Sequence, residues 1–182
     1  MYLGHIGVRR NHPDYYKLLV MDHILGTGTG FTDRLSSNLR DRQGLAYSVT
    51  ASITSSAQVE PGLFMAYMGT FPDKYEQARD GLLKEIRRIS TEKASIDEVE
   101  NAKKYLLGSF AFKFATNAEM ADELVEAEQH NLGRDYPAQF RKAVLAVTPE
   151  DVLAVAKKHL RADQLTLVAA GPLNRKGQPL KK

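Results

Sequence analysis

The stretch Leu39-Arg-Asp-Arg-Gln-Gly-Leu-Ala-Tyr-Ser-Val49 joins two kinds of predicted secondary structure through a single glycine. Leu35 and Leu39 are one helical turn apart, which predicts a helix that ends at Gly44. Apolar and small polar residues then alternate over 45–55, which predicts the clearest strand in the chain. The stretch therefore predicts a helix-to-strand turn.

Outward from this junction, helical and strand patterns follow one another along the chain. A weak alternation over 2–8 predicts a strand, and Pro13 opens a helix that ends in the glycine-rich stretch 26–30. Thr32 or Asp33 caps the helix that precedes Gly44. The remaining patterns predict strands over 63–70 and 165–170 and helices over 72–90, from Ser95 through Phe110, over 118–130, over 140–146 and from Thr148 to about Leu160.

This order of elements predicts an α+β fold in two layers, with the helices packed on one largely antiparallel, mixed β-sheet. A chain of 182 residues can bury a sizeable core, so we expect a single domain over 1–172. A basic tail over 173–182 follows, and we predict that it is flexible.

Composition excludes several classes of function. With 43% hydrophobic and 26% charged residues the chain has ordinary globular composition, and it lacks cysteine, which excludes disulfides and thiol catalysis. No apolar run is long enough for a membrane span, so we expect a soluble protein, in either the periplasm or the cytoplasm. The net charge is only +3, and the sequence shows no basic stripe of the kind typical of nucleic-acid binding.

No self-contained catalytic centre is visible in the sequence. The histidines, His5, His12, His23, His130 and His159, form no H-x-x-E-H or H-E-x-x-H pair and are predicted to be surface or capping residues. The stretch Gly26-Thr-Gly-Thr-Gly30 follows a helix rather than a strand, which favours a connection over a phosphate-binding loop. We therefore expect no metal site and no catalytic residue of its own in this chain.

Arg40 and Tyr47 can be read in two ways. A cation in the last turn of a helix is favoured by the helix dipole, so Arg40 has a structural explanation. Tyr47 lies in phase with Leu45 and Val49, which makes a core tyrosine one alternative. Composition and periodicity do not choose between these structural roles and a functional one.

The chain resembles the C-terminal, non-zinc domain of the mitochondrial-processing-peptidase and pitrilysin family of zinc metallopeptidases, the inverzincins. The resemblance rests first on the stretch 39–49. Further blocks follow in the family's order and cover nearly the whole chain: Ile24-Leu-Gly26, Thr32-Asp-Arg-Leu35, Pro72-Asp-Lys74, Asp97-Glu-Val-Glu-Asn-Ala-Lys103, Val147-Thr-Pro-Glu-Asp-Val152 and Val168-Ala-Ala-Gly-Pro172.

The resemblance implies one half of a two-part endopeptidase that closes around a peptide. The other half would carry zinc on an H-x-x-E-H motif, so this chain by itself would be inactive and hold no cofactor. By the same resemblance, Arg40 would hydrogen-bond the substrate backbone, and Tyr47 would position the scissile carbonyl or stabilise its oxyanion.

The missing zinc motif leaves two forms of this hypothesis, a piece cut from a longer protease or a separate subunit, and we favour the former. The expected partners are the zinc-bearing domain or subunit and a peptide substrate, without nucleic acid or membrane. An isolated half should show an exposed apolar patch or form a homodimer. The alternative function is a non-catalytic structural or assembly subunit of the same fold, and an independent small-ligand or nucleic-acid module is a weaker third.

Overall fold

A computed structural model describes residues 1–174, 178 and 180. Part of the predicted tail, 175–177, 179 and 181–182, lies outside the described residues, so its flexibility stays a prediction. No helix of the described part of the chain is long and apolar enough to cross a membrane.

Four antiparallel strands form one sheet. They are β1 (Tyr2–Ile6), β2 (Ser48–Ser52), β3 (Leu63–Gly69) and β4 (Thr166–Val168), in the spatial order β2-β3-β1-β4. The first strand is therefore central, and it pairs with β3 and β4 on its two sides. A β2–β3 hairpin supplies the other side of the sheet, with Ala51 opposite Ala66.

The helices account for most of the remaining chain. They are α1 (Tyr15–Asp22), α2 (Tyr75–Ile89), α3 (Ile96–Phe112), α4 (Asn117–Gln129), α5 (Tyr136–Ala146) and α6 (Pro149–His159). Two π-helical segments, His23–Thr27 and Ser36–Arg42, and two 3₁₀ turns, Thr29–Phe31 and Pro72–Lys74, complete the set. The helices predicted to begin at Ser95 and Thr148 do so, each with a capping box. Of the two predicted caps at 32–33, it is Asp33 that accepts the backbone N–H of Ser36.

The helices cover only one face of the sheet. Leu3, Val49, Phe64 and Ala66 point into the core and are buried. The residues that alternate with them point away from the helices, and we call their apolar members the open sheet face: Tyr2, Ile6, Leu63, Met65 and Val168, all substantially exposed. The predicted two-layer α+β fold is confirmed, and so is the predicted exposed apolar patch.

The strand predicted over 45–55 is shorter than its pattern, and it begins three residues later. The N–H groups of Leu45 and Ala46 both donate to the carbonyl of Leu39, at 2.8 and 3.3 Å, so these two residues finish the preceding π-helical segment instead of joining the sheet. At the other end, the N–H groups of Ile53 and Thr54 are taken by a side chain rather than by a strand. The alternation of residue types continues past both ends of β2, because the strand is ended by hydrogen bonds to residues outside it: the Leu39 carbonyl at its start and the Asp22 carboxylate at its end.

Asp22 is the side chain that ends β2. Its fully buried carboxylate accepts hydrogen bonds from the hydroxyls of Ser52 (2.7 Å) and Thr54 (2.6 Å) as well as from the N–H groups of Ile53 and Thr54. Burial disfavours the charged form more than these donors favour it, and it raises the pKa of Asp22 to about 6. The end of α1 is thereby fastened to the end of β2.

We predict a characteristic pH dependence of stability for Asp22. Its pKa is higher in the folded chain than in an unfolded one, so the folded state binds the proton more tightly and is favoured below about pH 4. As the pH rises from about 4 to about 6 this contribution is lost, to the extent of roughly 3 kcal/mol. The measurement is the free energy of unfolding of wild type and Asp22→Asn, by denaturant titration at several pH values.

The Asp22→Asn chain should be less stable throughout, because its amide NH₂ meets hydrogen-bond donors. The diagnostic quantity is the difference between the two proteins, which should shrink as the pH rises from 4 to 6. A difference that stays constant from pH 4 to pH 7 would show that Asp22 does not titrate in this window.

Candidate functional site

The π-helical segment Ser36–Arg42 positions Arg40. Its start is fixed by Asp33, whose carboxylate accepts from both the N–H and the hydroxyl of Ser36 at 2.8 Å. Leu35 and Leu39 are fully buried and anchor one side of the segment in the core. Arg40 lies in the last turn on a half-buried surface, as predicted for a cation at a helix C-terminus.

The turn after Arg40 depends on Gly44, which has a left-handed backbone with φ of +58°. The N–H of Gly44 donates to the carbonyl of Arg40 at 3.0 Å, which is the αL form of helix termination. The carbonyl of Gly44 accepts from the Lys74 ammonium at 3.1 Å, and Leu45, only 2% exposed, inserts into the core. The short loop is thus held at its start, middle and end.

Tyr47 is the most exposed large apolar side chain that the structure describes, with 87% of its surface accessible. Its N–H donates to the carbonyl of Gly69 at 3.1 Å, so the backbone already lies beside β3 while the side chain faces solvent. The core-tyrosine alternative is therefore wrong. The alternation that grouped Tyr47 with Leu45 was misleading, because Leu45 enters the core from the turn. The alternation of the strand itself starts only at Ser48.

Arg40 and Tyr47 bring two kinds of hydrogen-bond donor to this junction. The Arg40 guanidinium is permanently charged and carries several N–H groups, whereas the phenol of Tyr47 has one O–H on an apolar ring. Such a pair can bind carbonyl oxygens and stabilise a developing negative charge. The sequence contains no H-x-x-E-H motif.

The glycine-rich stretch 26–30 is a structural connection, as predicted. A Cβ atom at Gly26 would lie 2.5 Å from the backbone nitrogen of Ala51, so only glycine allows the π-helical turn to rest against β2. The hydroxyl of Thr50 also donates to the carbonyl of Gly26 at 2.9 Å. These contacts assign the stretch to packing.

Two of the histidines predicted as surface or capping residues are buried helix caps. His23 is the C-cap of α1 and stacks on Tyr105 with ring centroids 4.6 Å apart, and His130 is the C-cap of α4 and is 2% exposed. His12 and His159 lie at helix ends as predicted, but the fold brings both beside Asp14. Because these three residues come from the two ends of the chain, no spacing motif could have found the cluster.

A cavity of about 550 Å³ lies away from Arg40 and Tyr47, and sequence reasoning did not identify it. The guanidinium of Arg10 borders it, stacked 4.1 Å from the ring of Tyr15 and donating to the hydroxyl of Tyr136 at 2.9 Å. Its remaining walls combine Phe110 with acidic and hydroxyl side chains. Arg10 lies between β1 and α1, and Tyr136 is at the start of α5. A contact over this separation leaves no signal in the local sequence.

Comparison with known proteins assigns the fold to one class, the inactive domains of M16 peptidases. The sequence profile described as the peptidase M16 inactive domain matches residues 1–106. The chain belongs to the peptidase M16 inactive-domain family.

Two relatives and one solved structure illustrate the similarity. An uncharacterised zinc protease of Rickettsia bellii is 26% identical over 82% of this chain and 35% of its own length. The β subunit of the mitochondrial processing peptidase of Lentinula edodes is 29% identical over 92% of this chain and 37% of its own. A crystal structure of a peptidase M16 inactive domain from Pseudomonas fluorescens superposes with a TM-score of 0.83 at 29% identity, covering 90% of this chain and 38% of that one. The chain thus spans little more than a third of these proteins.

We predict that Gly44→Ala destabilises the fold by about 1 kcal/mol, because an L-residue is strained at this positive φ although the space around the Cβ position is open. Gly108→Ala is the matched control. Gly108 lies in α3, also with open space around it, so alanine there should stabilise by about 1 kcal/mol. Thermal or denaturant unfolding measures both changes, and equal effects of the same sign would refute the role of Gly44.

Proposed function

We propose that this chain is the substrate-binding, non-metal half of a zinc-dependent endopeptidase that cleaves peptides in a closed two-domain chamber. The observation that carries the proposal is the exposure of the Tyr47 phenol after the turn that follows Arg40 in the chain, in a member of the peptidase M16 inactive-domain family. With 87% of its surface accessible, the Tyr47 side chain is open to contact by a peptide or a partner chain.

Within this proposal the two side chains have different tasks. Arg40 donates to carbonyl oxygens of the peptide backbone and holds the substrate in register. Tyr47 donates its O–H to the scissile carbonyl, where the hydrogen bond strengthens as negative charge develops on the oxygen. A zinc ion held by the other half would provide the activated water, and Arg40 and Tyr47 of this chain act by positioning and electrostatic stabilisation.

The open sheet face supports the need for a partner. Its apolar side chains lie side by side on β1, β3 and β4, and Ile6 is 73% exposed. A contiguous apolar surface of this kind is uncommon on a protein that works alone. We propose that the zinc-bearing domain or subunit covers this face, and that a homodimer forms through it when that partner is missing.

The alternative function is a structural or assembly subunit without a peptide site. It is favoured by the fact that this chain has no zinc motif of its own. The two functions differ in one outcome. If this chain is an assembly subunit, its complex with a polypeptide that carries an H-x-x-E-H motif should not cleave peptides.

The peptidase hypothesis predicts that Tyr47→Phe lowers kcat by about 100-fold in the complex with the zinc-bearing half, because one oxyanion donor is lost. Arg40→Ala should raise KM and lower kcat, since binding and register both depend on the guanidinium. Cleavage of an unstructured fluorogenic peptide measures both parameters.

Tyr105→Phe and Arg79→Ala are matched controls, because each removes the same group from another part of the chain. Tyr105 is exposed on α3, and Arg79 is half-buried on α2, as Arg40 is in its own segment. These controls should cleave at the wild-type rate. If Tyr47→Phe and Arg40→Ala are also as active as wild type, the proposed roles of both residues are wrong.

For the partner surface, we predict that Ile6→Glu weakens association with the zinc-bearing half and abolishes any homodimer, because a carboxylate would be buried in an apolar contact. Leu124→Glu is the control, since Leu124 is similarly exposed but lies on α4. Sedimentation velocity and titration of the two halves measure the effect. Equal behaviour of the two variants would contradict the assignment of the open sheet face.

A further inference from the structure

Two imidazoles and a carboxylate meet where α1 begins and α6 ends. His12 and Asp14 precede α1, and His159 is the last residue of α6. Each of the three offers one ligand atom, and these atoms all lie within 4.8 Å of one another. All three residues are half-buried, which leaves the cluster open to solvent on one side.

Hydrogen bonds and a ring contact connect the three members of the cluster. The Asp14 carboxylate accepts from Nε2 of His159 at 2.8 Å, and the backbone N–H of Asp14 donates to Nδ1 of His12 at 3.0 Å. The two imidazole rings stand perpendicular with centroids 4.9 Å apart. The Lys158 ammonium also donates to the carboxylate at 2.7 Å, so a cation already rests on this oxygen.

We propose that His12, Asp14 and His159 form a binding site for one divalent transition-metal ion of the zinc type. Two imidazole nitrogens and one carboxylate oxygen are a donor set that suits Zn²⁺ and the neighbouring first-row ions better than Ca²⁺ or Mg²⁺, which require mostly oxygen ligands. Water would complete the coordination on the open side.

The geometry requires only side-chain movement. Zinc ligands at about 2.0–2.1 Å in tetrahedral arrangement lie roughly 3.3 Å from one another. The cluster is wider than that by about 1.5 Å at most, which rotations of the imidazoles and the carboxylate can supply. Lys158 has an exposed, flexible side chain and can leave when the metal ion arrives.

Hydrogen bonds within the cluster are exchanged for metal bonds. The hydrogen now on Nε2 of His159 must leave that nitrogen, either to solvent or to Nδ1 of the same ring by a change of tautomer. If Nδ1 of His12 is its ligand atom, the Asp14 amide loses its acceptor and turns to water. No oxidation or bond cleavage is involved.

A metal ion here would cross-link the two ends of the fold. His12 follows β1, and His159 precedes β4, the strand that pairs with β1. Because the ion binds the folded arrangement and not the unfolded chain, it would raise the free energy of unfolding with the logarithm of its concentration relative to Kd. This inference does not depend on the proposed peptidase function.

The test uses the tag-free chain, stripped with a chelator and titrated with Zn²⁺ by calorimetry, with thermal unfolding as a second readout. We expect one ion per chain and a rise in Tm with added zinc. Co²⁺ should give a visible spectrum typical of nitrogen and oxygen ligands. The variants His12→Gln, Asp14→Asn and His159→Gln should each bind at least about tenfold more weakly.

Lys158→Met provides a test of opposite sign, because removing the competing ammonium should strengthen zinc binding without touching a ligand. His23→Gln removes an imidazole outside the cluster and should bind like wild type, with its fold checked by circular dichroism. The proposal is overturned if wild type shows no saturable one-to-one binding, or if the ligand variants bind as tightly as His23→Gln.

Discussion

The buried carboxylate of Asp22 is the contact on which the arrangement of the site depends. It receives four donors from Ser52, Ile53 and Thr54, and so fixes where β2 ends and how α1 lies against it. The other end of β2 is fixed by the carbonyl of Leu39, which stops the preceding π-helical segment. With both ends of the strand set, the backbone of the loop between Arg40 and Tyr47 has little freedom.

Local signals in the sequence were sufficient for most of the fold. The capping boxes at Ser95 and Thr148 and the glycine at position 44 each act within a few residues, and each prediction is confirmed. The predicted ends of β2 were wrong, because hydrogen bonds to Asp22 and Leu39 end the strand and the alternation of residue types does not reveal them. The burial of His23 and His130 was missed for a related reason, since it depends on which helices pack around them.

The candidate site followed a different course. Residue patterns left Arg40 and Tyr47 with adequate structural explanations, and only the resemblance to a peptidase family gave them a functional role. The structure removes one of those explanations, because a side chain as exposed as Tyr47 does not stabilise a core. Contacts between distant parts of the chain, such as Arg10 with Tyr136 or His12 with His159, lay beyond sequence reasoning altogether.

The one-sided sheet has a thermodynamic consequence for the chain as a whole. β1 and β3, its two central strands, carry most of the apolar residues on the open sheet face, so part of the hydrophobic free energy available to this fold is released only on association. In the proposed homodimer, mass action makes the unfolding midpoint of the isolated chain depend on protein concentration, so folding and assembly become parts of one equilibrium. A domain built in this way is most stable when it is not alone.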